Sequence, residues 1–327
     1  MERVKWGVMG TAFICRRSTL PGMLQAENCE LYAIVGRSRE KAEQFRKEYG
    51  FAVCYDSYDE LLDDPAVQAV YIPLPNTMHY EWTVKALKKG KHVLCEKPLA
   101  PTAEQAAQMF RTARENGVFL MEAFAYQHSP YIAAIRQEIE NGTIGELQYM
   151  ESAYMTSDYD LQNIRMRRET LGGCTYDLGV YNTSLILRLL GQEPEQVHAS
   201  ACFSAQGVDK LTSVVMEFPG GLRASFTCGM VLATEQERHI DRFTVCGSKG
   251  SISGDRFEFN GDGDLSYAVT LADGTKTVRH VSTPQNYRLE VEQFGRCILR
   301  GEQPAVTEAF SIANASLVDR ILQEIGY

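Results

Sequence analysis

The sequence predicts an α/β Rossmann domain, a doubly wound parallel sheet, followed by an α+β domain with a mostly antiparallel open sheet. Three observations predict it. Apolar strand-like runs alternate with helical patterns up to about residue 122. Beyond that point strands follow one another through short glycine-containing links, such as Pro219-Gly220-Gly221 and Gly261-Asp262-Gly263. A chain of 327 residues favours two domains, and the change of pattern divides it into residues 1–122 and 123–327.

Val4 to Met9 reads as a short apolar strand, bounded by Gly10-Thr11-Ala12, with a helical pattern from Phe13. Strand, tight turn and helix together aim backbone amides and a helix N-terminus at a pyrophosphate. The fingerprint wants glycine at three places, which here hold Gly10, Ala12 and Cys15. Gly10, Thr11, Ala12, Phe13 and Ile14 are therefore candidate cofactor contacts. Glu30 to Gly36 is the second strand, followed by a helix over Arg39 to Glu48. An NAD-type site puts an acid at the end of that strand to bind the ribose 2′-hydroxyl. This chain has Gly36-Arg37-Ser38-Arg39 instead. Arg37 suits bidentate contact with a 2′-phosphate and Ser38 adds a hydroxyl, so NADP is expected in preference to NAD. Nothing repels NAD, which stays possible.

A short helix over Tyr58 to Leu62 precedes a strand, Ala69 to Ile72, that stops at Pro73-Leu74-Pro75. Asn76-Thr77 is expected to cap the next helix, which carries Trp82, Val84 and Leu87. Pro73, Asn76 and His79 are candidates for the nicotinamide ribose. The strand Lys91 to Cys95 runs straight into Glu96-Lys97-Pro98. Proline lacks an amide hydrogen and stops the ladder. Glu96 and Lys97 are thus held at the carboxyl end of a strand, where open α/β sheets bind ligands. Lysine suits proton transfer there, because its pKa is readily tuned by burial and charge. A helix over Thr102 to Asn116 and a strand over Val118 to Met121 complete the alternation.

The second half opens with a helix near Tyr131 to Glu140, ended by Asn141-Gly142. Strands are predicted at Gly145 to Tyr154, Gln196 to Ala205, Thr212 to Phe218, Leu222 to Cys228 and Arg242 to Val245. Helices at about Tyr287 to Arg300 and Thr307 to Ile325 close the chain. One helix interrupts the sheet, from Gly172-Gly173-Cys174-Thr175-Tyr176-Asp177 through Leu190. Asp177 and Tyr181 are four residues apart on it and share a face. Gly173 and Gly179 are poor helix formers, which suggests that a ligand or another backbone comes close.

The formal net charge of −9 argues against a nucleic-acid partner. No apolar run reaches membrane-spanning length. The opening Met1-Glu2-Arg3-Val4-Lys5 has no apolar leader core, so no signal peptide is expected. The nine cysteines are scattered singly, which speaks against a metal site or a disulfide framework and fits a reducing cytoplasm.

The Gly10-Thr11-Ala12 turn, Glu96-Lys97-Pro98 and the Gly-Gly-x-x-x-Asp-x-Gly-x-Tyr segment at residues 172–181 occur in that order. On these features the whole chain resembles the glucose-fructose oxidoreductase/inositol dehydrogenase (Gfo/Idh/MocA) family of nicotinamide-dependent sugar and polyol oxidoreductases. The resemblance implies a dinucleotide-binding first domain and a second domain for substrate binding and dimerisation, hence a homodimer or higher homo-oligomer. It implies that Lys97 sits by the nicotinamide and the substrate carbon, and that Asp177 orients substrate. Tyr181 stands where many members have histidine, which is similar to the dimeric dihydrodiol dehydrogenase branch. A phenol titrates near ~10 against ~6.5 for histidine, and a nearby ammonium lowers it. Tyr181 is then a proton donor in reduction or acceptor in oxidation. Tyr126, after the domain junction, and Arg165, in the Tyr154 to Arg168 segment, are candidate substrate contacts.

Two reactions fit this site. One is hydride transfer between nicotinamide and a hydroxyl or carbonyl carbon of a sugar, polyol or trans-diol. The other is redox-neutral: transient oxidation to a ketone, then elimination, glycoside cleavage or epimerisation with bound NAD recycled. A non-catalytic nucleotide sensor is disfavoured by Lys97, since a sensor needs no proton donor.

Overall fold

The computed structural model describes residues 2–233, 239–254 and 262–327. Gly261 of the expected Gly261-Asp262-Gly263 link lies outside them. The chain forms two compact units. The first holds residues 1–128 and 284–312, the second 129–283 and 313–327.

The first unit is built on six parallel strands: β1 (Val4–Met9), β2 (Cys29–Val35), β3 (Val53–Cys54), β4 (Ala69–Ile72), β5 (His92–Glu96) and β6 (Leu120–Ala123). Their order in the sheet is β3-β2-β1-β4-β5-β6, so the strand order reverses between β1 and β4. That reversal opens a crevice at the carboxyl edge of a doubly wound sheet. The strands are almost wholly apolar because helices cover both faces. These are α1 (Leu20–Gln25), α2 (Arg39–Tyr49), α3 (Tyr58–Asp63), α4 (Asn76–Lys88) and α5 (Ala103–Glu115). Ser38, Ser57 and Thr102 start α2, α3 and α5 by accepting the amides of Lys41, Glu60 and Gln105. The expected cap at Asn76-Thr77 is not made: Pro75 occupies the cap position of α4, without a side-chain bond. Proline's fixed φ suits a helix entry, so the turn after β4 starts α4 without a polar cap.

The sequence reading placed everything after residue 122 in the second domain. The structure differs, because residues 284–312 return to the first unit. The cause is close packing. A Cβ at Gly22 would meet the backbone of Tyr287 and Arg288 at 2.8 Å. Asn28 Nδ2 donates to Glu292 O at 2.8 Å, and the Trp6 and Phe294 rings lie 5.8 Å apart.

The second unit contains α6 (Pro130–Glu140), α7 (Val180–Leu190) and an eight-stranded sheet. Its strands are β7 (Leu147–Ser157), β8 (Gln196–Phe203), β9 (Asp209–Glu217), β10 (Arg223–Leu232), β11 (His239–Gly247), β12 (Gly250–Gly254), β13 (Gly263–Leu271) and β14 (Lys276–Thr283). The order is β14-β13-β12-β11-β7-β10-β9-β8, antiparallel except for the β7–β10 pair. The last three strands were not read from the sequence. In register, Ser152 pairs Phe243, Tyr154 pairs Asp241 and Thr156 pairs His239. These alternate residues share one sheet face. α7 packs on it, with Asn182 Nδ2 donating to Ser152 Oγ at 2.8 Å. Two further helices close the chain, α8 (Asn286–Arg300) and α9 (Glu308–Glu324).

Candidate active site

In the first unit the ends of β1, β2, β4 and β5 lie along one sheet edge, because the strands are parallel neighbours. Gly10 follows β1 with φ +144°, a conformation that side chains rarely adopt. A Cβ there would also touch the Pro73 ring, which ends β4. The backbone can therefore run tight at the strand reversal. The helix beyond the turn opens with a π-helical segment, Cys15–Thr19, that runs into α1. Phe13, just before this segment, is 74% exposed. Arg37 and Ser38 are exposed after β2. Arg37 makes no ion pair among the described residues, whereas Arg39 pairs with Asp56 at 2.9 Å. Ser38 Oγ accepts from Lys41, which leaves its hydroxyl hydrogen to donate elsewhere.

β5 delivers Glu96 and Lys97 half-buried at the same edge. Tyr71 donates to Glu96 Oε1 at 2.6 Å, and Thr19 donates to the Tyr71 hydroxyl at 2.9 Å. This holds the Glu96 carboxylate against the Tyr71 hydroxyl. The Lys97–Pro98 peptide is cis. His79 does not face a ribose, as the sequence reading expected. It is fully buried, with Nδ1 2.8 Å from Pro98 O and Nε2 2.8 Å from Leu74 O. Both ring nitrogens are thus used inside the protein. Burial pushes the ring towards its neutral form, more than the two carbonyls pull it back. Asn76, half-buried at the first position of α4, remains at the strand-end edge.

The Glu122 carboxyl is buried on β6, beside Cys95 of β5, and its Oε1 accepts the Leu99 amide at 2.9 Å. Burial raises its pKa to about 7, with Glu96 adding to the rise and Lys97 opposing it. Tyr126 is a second correction. It is 1% exposed, and its hydroxyl accepts from Gln127 Nε2 at 2.6 Å, so it is packed as core.

In the second unit the interrupting helix also opens as a π-helical turn, Thr175–Gly179, before α7. Such turns are rare and recur at functional sites. Asp177 sits in the turn and Tyr181 at the second position of α7. The two act on the same neighbours: both raise the pKa of Tyr154, after burial, and of Arg165. Arg165 Nε donates to Asp177 Oδ2 at 2.7 Å, with the Arg165 guanidinium 5.1 Å above the Tyr159 ring. Tyr181 meets the Tyr154 ring edge-on at 5.5 Å, and Tyr154 in turn meets the His239 ring at 4.9 Å. Asp177, Tyr181 and Arg165 are thus brought together.

The close approach that the two glycines suggested is made by protein side chains. A Cβ at Gly173 would lie 2.0 Å from Asp209 Oδ1, and one at Gly179 3.2 Å from Cys228 Sγ. Asp209 is fully buried and was missed by sequence reasoning. Its Oδ2 accepts from Thr175 N (2.9 Å), Thr175 Oγ1 (2.6 Å) and Thr212 Oγ1 (2.8 Å), which pins the start of the helix.

Two family models match the chain: an oxidoreductase family with an NAD-binding Rossmann fold over residues 4–124, and the GFO/IDH/MocA C-terminal domain over residues 132–253. Among relatives, a trans-1,2-dihydrobenzene-1,2-diol dehydrogenase of Xenopus laevis is 29% identical, covering 98% of this chain and 98% of its own. A D-xylose 1-dehydrogenase (NADP(+)) of Haloferax volcanii is 32% identical, covering 97% and 96%. Among solved structures, a 3-ketoreductase from Actinomadura kijaniata in complex with NADP and TDP-benzene superposes with a TM-score of 0.92 at 28% identity, over 99% and 98% of the two chains. Strand order, glycine turn and family models agree, and the chain belongs to the Gfo/Idh/MocA oxidoreductases. It is a nicotinamide-dependent oxidoreductase.

Proposed function

We propose that the protein interconverts a hydroxyl and a carbonyl on a sugar, polyol or trans-diol, with NADP preferred over NAD. Lys97 is the proton-transfer residue, Tyr181 shares that proton, and Asp177 orients the substrate. The observation that carries this reading is Lys97 at the carboxyl end of β5, on the strand-end edge of an NAD-binding Rossmann fold. The nicotinamide, when bound, supplies the hydride acceptor or donor. The chain's residues handle the proton: Lys97 Nζ holds it beside the reacting oxygen, and the Tyr181 hydroxyl gives or takes it. Asp177 accepts substrate hydroxyls, and its pairing with Arg165 keeps that carboxylate oriented. The first unit fits the dinucleotide through the Gly10 turn, the exposed Phe13 and the exposed Arg37, which makes no ion pair among the described residues. Relatives named for dihydrodiol, D-xylose and dTDP-sugar substrates support the substrate class.

A homodimer is supported by the sheet of the second unit, which exposes Phe203, Val215, Val231 and Val278 at 41–51%. Free thiols at all nine cysteines are compatible with a cytoplasmic setting. No helix of the described residues is long and apolar enough to cross a membrane.

The test is absorbance of reduced nicotinamide with a panel of polyols, diols and keto-sugars, on wild type and Lys97→Met. The variant is expected to lose about 10²–10⁴-fold in turnover while binding cofactor. Wild-type turnover in Lys97→Met, or no turnover by the wild type with any panel member, overturns the reading.

A further inference from the structure

We infer that Glu122 is a positioning residue for Lys97: with His79 it clamps the one peptide unit that follows the Lys97–Pro98 turn. That unit is Pro98–Leu99. Its carbonyl lies 2.8 Å from His79 Nδ1, and its amide lies 2.9 Å from Glu122 Oε1. One peptide plane is therefore gripped at both ends, from α4 on one side and β6 on the other. A peptide is positive at its N–H and negative at its C=O, so a carboxylate on the first and an imidazole N–H on the second both lie along its dipole. The clamp begins one residue after Lys97, and rotation of that peptide would swing the lysine.

Neither clamp residue reaches a ligand. His79 is 0% and Glu122 2% exposed. Both act through the backbone. His79 Nε2 lies 2.8 Å from Leu74 O; the neutral ring carries one N–H, and with that proton on Nδ1 its donated bond goes to Pro98 O. The groups facing Glu122 are Cys95 and Glu96 on β5, Lys97 in the turn, and Ser311 on α9. Burial and Glu96 favour its protonated form, the nearby Ser311 hydroxyl, the Leu99 amide and Lys97 its charged form, and the balance lies at about 7. A charged carboxylate holds the Leu99 amide more strongly than a neutral one. The clamp therefore tightens as pH rises through neutrality.

This inference rests on the reading of Lys97 as the proton-transfer residue, and its test keeps the two apart. The measurement is kcat against pH, with the cofactor KM, for wild type, Glu122→Gln, Glu122→Ala and Lys97→Met. Glu122→Gln keeps an oxygen for the Leu99 amide but does not titrate. It is expected to lose the limb of the kcat profile that rises through about pH 7. Glu122→Ala removes the acceptor and is expected to lower kcat by about 10–100-fold, with a far smaller change in cofactor KM. A Gln profile superimposable on wild type, or wild-type kcat in the Ala variant, overturns the clamp. If the Ala variant does not fold, the Gln profile alone decides. An inactive Lys97→Met beside normal Glu122 variants sinks the clamp and spares the reading; an active Lys97→Met sinks the reading itself.

Discussion

Replacing Asp209 with alanine should destabilise the second unit by about 3–5 kcal/mol, because several buried donors lose their shared acceptor at once. The carboxylate is fully buried and takes two hydroxyls and one amide on Oδ2, besides the Cys174 thiol. Hydrogen bonds to a charged group contribute about 1.5–3 kcal/mol each, so the three together reach roughly 5–9 kcal/mol before any offset. Alanine also relieves the carboxylate of its own burial, which costs several kcal/mol, and the difference falls in the stated range. For a unit of this size each kcal/mol moves Tm by about 2–4 °C, which gives a fall of roughly 6–20 °C. The loss also has a functional arm. Thr175, which Asp209 holds by both its amide and its hydroxyl, lies two residues before Asp177. Freed of that anchor, the helix start drifts, and a displacement near 1 Å costs about 10²-fold in rate. The assays are urea unfolding, thermal unfolding and kcat. Thr175→Val, which removes one hydroxyl and keeps the shape, should fall between wild type and Asp209→Ala in both stability and rate. A loss below about 1 kcal/mol in Asp209→Ala, within the range of an ordinary surface substitution, would refute the reasoning.

Tyr181→Phe should lower kcat by about 10²–10⁴-fold, because only the hydroxyl is removed; an unchanged kcat and pH profile would make Tyr181 a packing aromatic. Arg37→Ala should reduce the NADP(H)-over-NAD(H) ratio of kcat/KM by roughly 10–100-fold, the worth of one charged hydrogen bond or a bidentate pair. A wild-type preference for NAD(H), or an unchanged ratio, counts against that role. Gly10→Ala forces a side chain into φ +144°. It should cost about 1–3 kcal/mol in stability and weaken cofactor binding measured by calorimetry.

The parallel unit was legible because its signals are local. Each strand is apolar throughout, each is followed by a helical period, and Gly10 and Pro98 mark the functional strand ends. The rest depends on contacts that sequence spacing does not carry. β14 has seven of eight residues facing outward or half-exposed, so it shows no apolar alternation to read. β3 is two residues long. Residues 284–312 belong to the first unit because Gly22 and Gly295 leave room for backbone and for Asn28, a tertiary fact. His79 looks like a polar residue on a helix start and is buried by two carbonyls from elsewhere. Asp209 anchors a helix 34 residues upstream, and only Gly173 hinted that something lay close. The π-helical turns at Cys15–Thr19 and Thr175–Gly179 leave no period distinct from an ordinary helix over five residues.

Glu122 and Asp209 pose the same physical question in the two units. Each is a buried carboxyl that accepts a backbone amide and makes no ion pair with an arginine or lysine among the described residues. Burying such a group costs several kcal/mol, and apolar residues of similar volume often serve stability as well or better. Stability is therefore a poor account of either. Position is a better one. Each accepts a backbone amide within two residues of a proposed reactive side chain: Leu99 after Lys97, Thr175 before Asp177. Amide bonds are directional in a way that apolar contacts are not, so they fix the rotation of a peptide as well as its location. A long lysine at a strand end has many rotamers, and a helix that opens with a π turn has more than one way to start. Fixing the backbone first leaves fewer of these states to be lost when substrate binds, and that preorganisation lowers the barrier to reaction without any contact to the substrate.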